Sequence, residues 1–495
     1  MKSESHRSCK PVVAGRFAVC LLAFVLLASS FIATKNQNLW QILHGKASSL
    51  PHAPSRPSWP VSDALWRVVV AQYPRFPNRC SYSVCPVPSL TMPVSRSTSE
   101  LPSSDVSFPQ SKNKINQSFS PQCPDYFRFI HHDLAPWKKT KISKELLDAA
   151  RTGNHEASFT VVIKSGRLFV DPIGNCYQTR AIFTIWGFLQ LLKYYPGLVP
   201  DVELVFGCGD RPAIPRGNYT HSFPPPVFRY CTTLNHFDIP FPDWSYWGWP
   251  EVNIQPWELE LQSIHRGSSR STWRQRVPKA FWKGNTFMGD GTRMELVKCN
   301  RETADIQSQD WDKEVRSKFR HSKLSEQCKH RYKVYVEGIG WSVSLKYILA
   351  CDSPVLLVQP KFLEFFSRGL IPRKHVWPVP PTSDMCPTIA SAVEWGNMHM
   401  LEAMELGKQG SRFVMEEVSM ARVYNYMLHL LREYANLLDF EPVPGAHLQE
   451  LCADAFLCVA PPNEVPFYQS SMVHHPSESV PCFFDTLSSN SLDTS

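Results

Sequence analysis

The chain has 495 residues, 43% of them hydrophobic and 19% charged. That balance excludes an intrinsically disordered protein and leaves room for two domains plus extensions. The net charge of +8 is mild for this length; with no dense Lys/Arg stripe it points to a basic site or an acidic substrate, not to nucleic acid.

Lys2, His6, Arg7, Lys10 and Arg16 precede an uncharged run, Phe17 to Thr34 (FAVCLLAFVLLASSFIAT). Such a run can cross a thin bilayer as a helix, and the positive flank keeps residues 1–16 cytosolic. A cleaved signal peptide is the alternative, but its apolar core is usually shorter and followed by a small-x-small site. The expectation is a single-pass type II protein anchored at 17–34, with its head in the lumen. Of the 15 cysteines, Cys9 and Cys20 fall before or within the span. The remainder is odd in number, so at least one thiol is unpaired or bonded to another chain. No cysteine or histidine spacing suggests zinc, and disulfides are the expected use. Asn116 and Asn218 begin sequons, acceptors for N-glycans in that compartment.

Residues 35–121 are rich in Pro and Ser and lack periodicity, as a stem would. The head begins near Cys123. Lys144 to Arg151 reads as a short helix. Phe159 to Ile163 and Arg167 to Val170 flank Ser165-Gly166 as a hairpin. Ala181 to Tyr195 is a strongly apolar helix stopped by Pro196-Gly197, and the strand Val202 to Phe206 follows. His221 to Trp257 is aromatic, Pro-rich and without a clean period, as an ordered loop lining a cleft would be. A second α/β unit starts near Val277 (VPKAFWKGN). Tyr332 to Val358 parses as strand, Gly-containing loop, helix and strand, one Rossmann-like half. Arg412 to Leu438 reads as largely amphipathic helix, and the residues from about Pro461 as polar and irregular. The expectation is an α/β protein of two lobes facing a cleft, an N-terminal lobe over 122–275, a C-terminal lobe over 276–460 and a tail over 461–495.

Ligands of such sheets bind beyond the carboxyl ends of the strands. Three features sit there. Asp210, in VFGCGDRP, is either a general base for a sugar hydroxyl or an Asp that caps a turn or pairs with Arg211. Lys283, with Gly284 and Asn285, is either a cation for a diphosphate or a solvated surface lysine. The loop Gly338-Ile339-Gly340-Trp341-Ser342, with Ser344 and Lys346 beyond it, is either an anion site at a helix start or an ordinary capped turn. It matches neither the dinucleotide fingerprint nor a P-loop. The acidic pair Asp310 and Asp312 lies in polar surroundings and reads as charged surface; residues two apart on a helix do not share a metal. Trp244 and Trp247 are candidates to stack on acceptor sugar rings, with loop packing the alternative.

The segments CPDYFRFIHHDLAPW, QTRAIFTIWGFLQLLKYYPGLVPDVELVFGCGDRP, FWKGN, QCKHRYKVYVEGIGWSVSLKYILACDSPVLLV, EFFSRGLIPRKHVWPV and AVEWGN resemble glycosyltransferase family ninety. That group includes Rumi-type protein O-glucosyltransferases and fungal capsule-associated xylosyltransferases; the chain is most similar to membrane-anchored plant members. The resemblance implies a GT-B fold and inverting, metal-independent transfer of glucose or xylose from UDP-glucose or UDP-xylose to a glycan or glycoprotein. It implies no cofactor. It gives Asp210 the role of base and makes Lys283, Gly340, Ser342, Ser344 and Lys346 donor-site residues. It also places a disulfide between Cys328 and Cys351. Four positions depart from the plant-type pattern: Ala181, Gly207, Gly340 and Leu345 stand where Asp, Asp, Ala and Glu are usual. A glycan-binding or scaffolding relative without turnover is the second reading. The anchor and the ending LDTS favour the Golgi membrane.

Overall fold

The computed structural model describes residues 121–153, 158–171 and 176–484. The expected cytosolic tail, membrane anchor and nearly all of the stem, Asn116 included, lie outside them. Among the described residues no helix is long and apolar enough to cross a membrane.

Eleven strands are described: β1 (Ser158–Lys164), β2 (Arg167–Val170), β3 (Val202–Gly207), β4 (Val227–Arg229), β5 (Ile239–Pro240), β6 (Val277–Gly284), β7 (Ala304–Ser308), β8 (His330–Tyr335), β9 (Val355–Val358), β10 (Trp377–Val379) and β11 (Gln449–Leu451). They form two sheets, ordered β11-β2-β1-β3-β4-β5 and β10-β9-β8-β6-β7.

The first sheet is mixed. β1 and β2 form a hairpin whose turn residues, Ser165 and Gly166, have φ of 51° and 72°. A turn with two positive φ values matches the twist of the strands it joins. β3 is buried at all six positions because it lies between β1, antiparallel, and β4, parallel. The helix Arg180–Tyr194 is apolar nearly all round and is buried from Arg180 to Leu191. It lies inside the lobe, not on its surface.

The second sheet is wholly parallel. From β6 the chain passes to β7 on one side, then returns to β8 on the other. The connections therefore diverge between β6 and β8, and a crevice opens beyond their carboxyl ends.

Several boundaries differ from those expected. Arg412 to Leu438 is largely helix, as expected, but it belongs to two helices, Met400–Glu417 and Met420–Ala435, broken at Val418 and at Ser419, whose ψ is 158°. The second lobe does not run to residue 460. β11 joins the first sheet antiparallel to β2, and the helix Val465–Ser470 stacks Tyr468 on Phe183 at 4.6 Å. The segment after Pro461 is thus packed core, because Phe467 and Tyr468 complete the apolar surface around Trp186. Cys123 is disulfide-bonded to Cys482. The stretch 221–257 is ordered, as expected, and also holds β4, β5 and a buried aromatic cluster.

Three more disulfides join Cys176 to Cys208, Cys299 to Cys386 and Cys328 to Cys351. Cys452 and Cys458 are also disulfide-bonded, and Cys231 is a buried free thiol.

Candidate active site

Asp210 follows β3, in the turn that carries the chain off the buried strand. Its side chain is 33% exposed and is ion-paired with Arg180, the first residue of the long apolar helix, itself only 9% exposed. The Arg180 guanidinium is boxed by aromatic rings, 4.4 Å over Trp244, 5.1 Å over Tyr177 and 5.9 Å over Trp249. A planar cation held on ring faces presents a fixed fork to a carboxylate. Asp210 is therefore aimed by a rigid partner from below while part of it stays open to solvent. Its expected partner in the turn reading, Arg211, instead donates Nε–H to the Ile339 carbonyl at 3.1 Å.

The turn is fixed from beneath by Asp238. That buried carboxylate accepts the amides of Ala213 and Ile214 at 2.8 and 2.9 Å and pairs with Arg229 at 3.2 Å. Burial pushes its carboxyl up from the usual range against the pull of Arg229 and the two amides. Arg229 also explains Gly207. A Cβ at 207 would lie 2.7 Å from the Arg229 Nε, so the guanidinium fills the place where an acidic side chain is usual in the resembling pattern. Ala181 is packed in the core and Leu345 is buried in the first turn of the helix Ser344–Leu349.

Across from Asp210, the two segments expected to hold a donor come together. Lys283-Gly284-Asn285 ends β6 and Gly338–Ser344 follows β8, and these strands are neighbours. Arg293, which sequence reading passed over, joins them. It donates from Nε to the Glu337 carbonyl at 2.8 Å and from a terminal nitrogen to the Asn285 carbonyl at 3.1 Å. Its signal was faint, a lone arginine at the start of the helix Thr292–Val297. In the loop, Gly338 N–H donates to the Gly340 carbonyl at 3.0 Å, and Ser342 N–H donates to the Tyr335 hydroxyl at 3.1 Å. Ser342 and Ser344 hydroxyls share a hydrogen bond at 2.8 Å. Trp341 packs its ring against Tyr230 and Trp244 of the first lobe.

The lysines are not free cations. Lys283 donates to Glu314 at 2.9 Å, to Ser322 at 2.7 Å and to the His321 carbonyl at 3.2 Å. Lys346 is 1% exposed and reaches Ser245 at 2.8 Å and Asp243 at 3.3 Å. Both are drawn inward because each has a buried carboxylate to neutralise. The stacking role expected of Trp244 and Trp247 fails for a related reason. They are 1% and 0% exposed. Trp247 lies against Gly187 and donates to the Tyr424 hydroxyl at 3.1 Å, while Trp244 carries Arg180. Neither has a face to offer a sugar.

Asp310 is the N-cap of the helix Trp311–Arg316 and accepts the Lys313 amide at 3.0 Å. Asn218 is exposed in the 3-10 turn Arg216–Tyr219. Asp133 is buried and held by both guanidinium arms of Arg368 at 2.7 and 2.5 Å. Burial raises its carboxyl, but Arg368 outweighs burial and holds it below the ordinary value.

The family model described as Glycosyl transferase family 90 matches residues 118–494. Protein O-glucosyltransferase 1 of Bos taurus is 24% identical over 341 residues, covering 65% of this chain and 82% of its own length. The O-glucosyltransferase rumi homolog of Anopheles gambiae is 26% identical over 336 residues, covering 65% and 80%. The O-glucosyltransferase rumi of Drosophila melanogaster is 24% identical over 345 residues, covering 66% and 80%. Among solved structures, a sucrose-phosphate synthase from Thermosynechococcus elongatus overlaps 36% of this chain and 42% of its own, at 15% identity and a TM-score of 0.22. A family match across three quarters of the sequence fits a paired-lobe molecule with a carboxylate facing a Gly loop, and the chain belongs to glycosyl transferase family 90.

Proposed function

We propose that the protein is an inverting glycosyltransferase of GT-B type that moves glucose or xylose from a UDP-sugar to a hydroxyl of a glycan or glycoprotein. The observation that carries the reading is the placement of Asp210 against the Gly338–Ser344 loop, at the point where the second sheet reverses. The Asp210 carboxylate takes the proton of the acceptor hydroxyl as its oxygen attacks the anomeric carbon. The bond from that carbon to the diphosphate oxygen breaks, and UDP leaves with the electron pair. Arg211, exposed and hydrogen-bonded to the Gly loop, and the loop amides offset the developing charge.

The reaction is proposed to need neither cofactor nor metal. Disulfides are typical of oxidising compartments, which supports a lumenal head in the secretory pathway. The type II anchor and Golgi placement are part of this proposal.

A second reading, a glycan-binding relative without turnover, draws on the internal engagement of Lys283 and Lys346. The purified full chain separates the two. UDP release from UDP-glucose or UDP-xylose, retained in EDTA and reduced about 10²–10⁴-fold in Asp210→Asn, supports the transferase. Release unaffected by Asp210→Asn removes the assigned base, and no release from any UDP-sugar favours the second reading.

A further inference from the structure

We infer that an open cavity on the first lobe, beside Arg216, binds a carboxylate-bearing sugar. The cavity measures about 650 Å³, a volume usual for small-molecule sites. It is walled by His132 from the start of the head, by Arg216 and the run Tyr219 to Pro224, and by Phe237.

Arg216 is its distinguishing group. The guanidinium lies 4.3 Å over the Phe237 ring, which fixes its plane. Its side chain has no hydrogen bond or ion pair among the described residues, and its Nε is buried without an acceptor. The neighbouring Asp133 acts on it electrostatically, yet both Asp133 oxygens are already taken by Arg368. The buried Nε is a donor without a partner, and the guanidinium fork matches a carboxylate bidentately.

The rest of the lining suits a sugar more than a peptide. Phe223, 58% exposed, offers an aromatic face to the C–H side of a pyranose. The hydroxyls of Tyr219, Thr220 and Ser222 can meet ring hydroxyls as donor or acceptor. The binding statement stands apart from turnover.

Calorimetry on the purified full chain tests it with four probes: a glucuronic-acid-terminated disaccharide, its methyl ester, its sulfate-ester counterpart and a glutamate-rich peptide. The acid should bind at least tenfold more tightly than the ester, and Arg216→Gln should erase that difference. Phe223→Ala, at an exposed position, should weaken acid and ester alike several-fold. Equal binding of acid and ester, or acid binding unchanged by Arg216→Gln, overturns the site. A peptide that binds as well as the disaccharide overturns the sugar assignment, and a tighter sulfate ester overturns the carboxylate. UDP release measured on the same preparation keeps the outcomes apart: release without acid binding removes this cavity alone, and acid binding without release removes the transferase alone.

Discussion

The carbonyl oxygen of Asp210 lies 1.9 Å from where a Cβ on residue 340 would stand, so only glycine there lets the two lobes meet. The Cys231 thiol donates to the same carbonyl at 3.5 Å, and Arg211 bonds the next loop residue, Ile339. The departure from alanine at this position therefore has a structural reason. The obstacle is backbone, which cannot swing aside as a side chain would. Gly340→Ala should destabilise the protein by about 1–3 kcal/mol and lower kcat by moving Asp210 away from the donor loop. Thermal unfolding and UDP release measure the two effects; unchanged values in both would show that the contact has no consequence.

Arg180 acts through Asp210. Arg180→Lys keeps the charge but gives up the fork and the stacking on Trp244. The expected result is a fall in kcat of about tenfold, since geometry and not charge is lost, with donor KM nearly unchanged. A rise in donor KM at constant kcat would assign Arg180 to donor binding instead.

Lys283 can be tested for a role beyond its ion pair. Lys283→Met leaves Glu314 buried and unpaired, which should cost about 3–5 kcal/mol. Adding Glu314→Gln should restore much of that stability. If the double variant regains activity along with its unfolding temperature, Lys283 serves the fold; if stability returns and activity does not, the lysine also touches the donor.

Glu364 should make stability fall as pH rises. It is wholly buried, and burial, with Asp243 and Glu337 nearby, pushes its carboxyl up from 4.5 to about 8 against the pull of Lys346. Between those values the folded state holds a proton that the unfolded state has lost, so stability declines with increasing pH. Buried His375 and half-buried His429 are pushed down from 6.5 to about 4 and act in the opposite direction, but only below about 6.5. Glu337 and Glu464, each raised by burial to about 7, add to the decline. Glu364→Gln should therefore flatten, without abolishing, the fall in unfolding temperature from pH 6.5 to 8. An unaltered slope would mean the group titrates elsewhere.

Local signals carried most of the lobe architecture. The Ser165-Gly166 hairpin, the helix stopped at Pro196-Gly197 and the β3 strand are each set by neighbours in sequence, and the structure places them within a residue or two. The meeting of Lys283-Gly284-Asn285 with the Gly loop was approached through the rule about strand ends. What remained hidden depends on distant partners. Trp244 and Trp247 look the same in sequence whether they line a cleft or fill a core. Lys346 looks like a donor cation until Asp243, over a hundred residues earlier, is found beside it. The return of β11 to the first sheet leaves no local mark, because three residues at an edge carry no period.

That return has a consequence for biosynthesis. The second sheet is an insertion: β6 to β10 are contiguous in the chain, whereas the first lobe needs β1 at one end and β11, the helix Val465–Ser470 and Cys482 at the other. A chain emerging from the ribosome can complete the later lobe before the earlier one. The lobe begun first waits, with the apolar helix Arg180–Tyr194 uncovered, until the helix Val465–Ser470 and Cys482 are made. Truncations before Val465 should then strand the first lobe in an aggregation-prone state while leaving the inserted lobe able to fold.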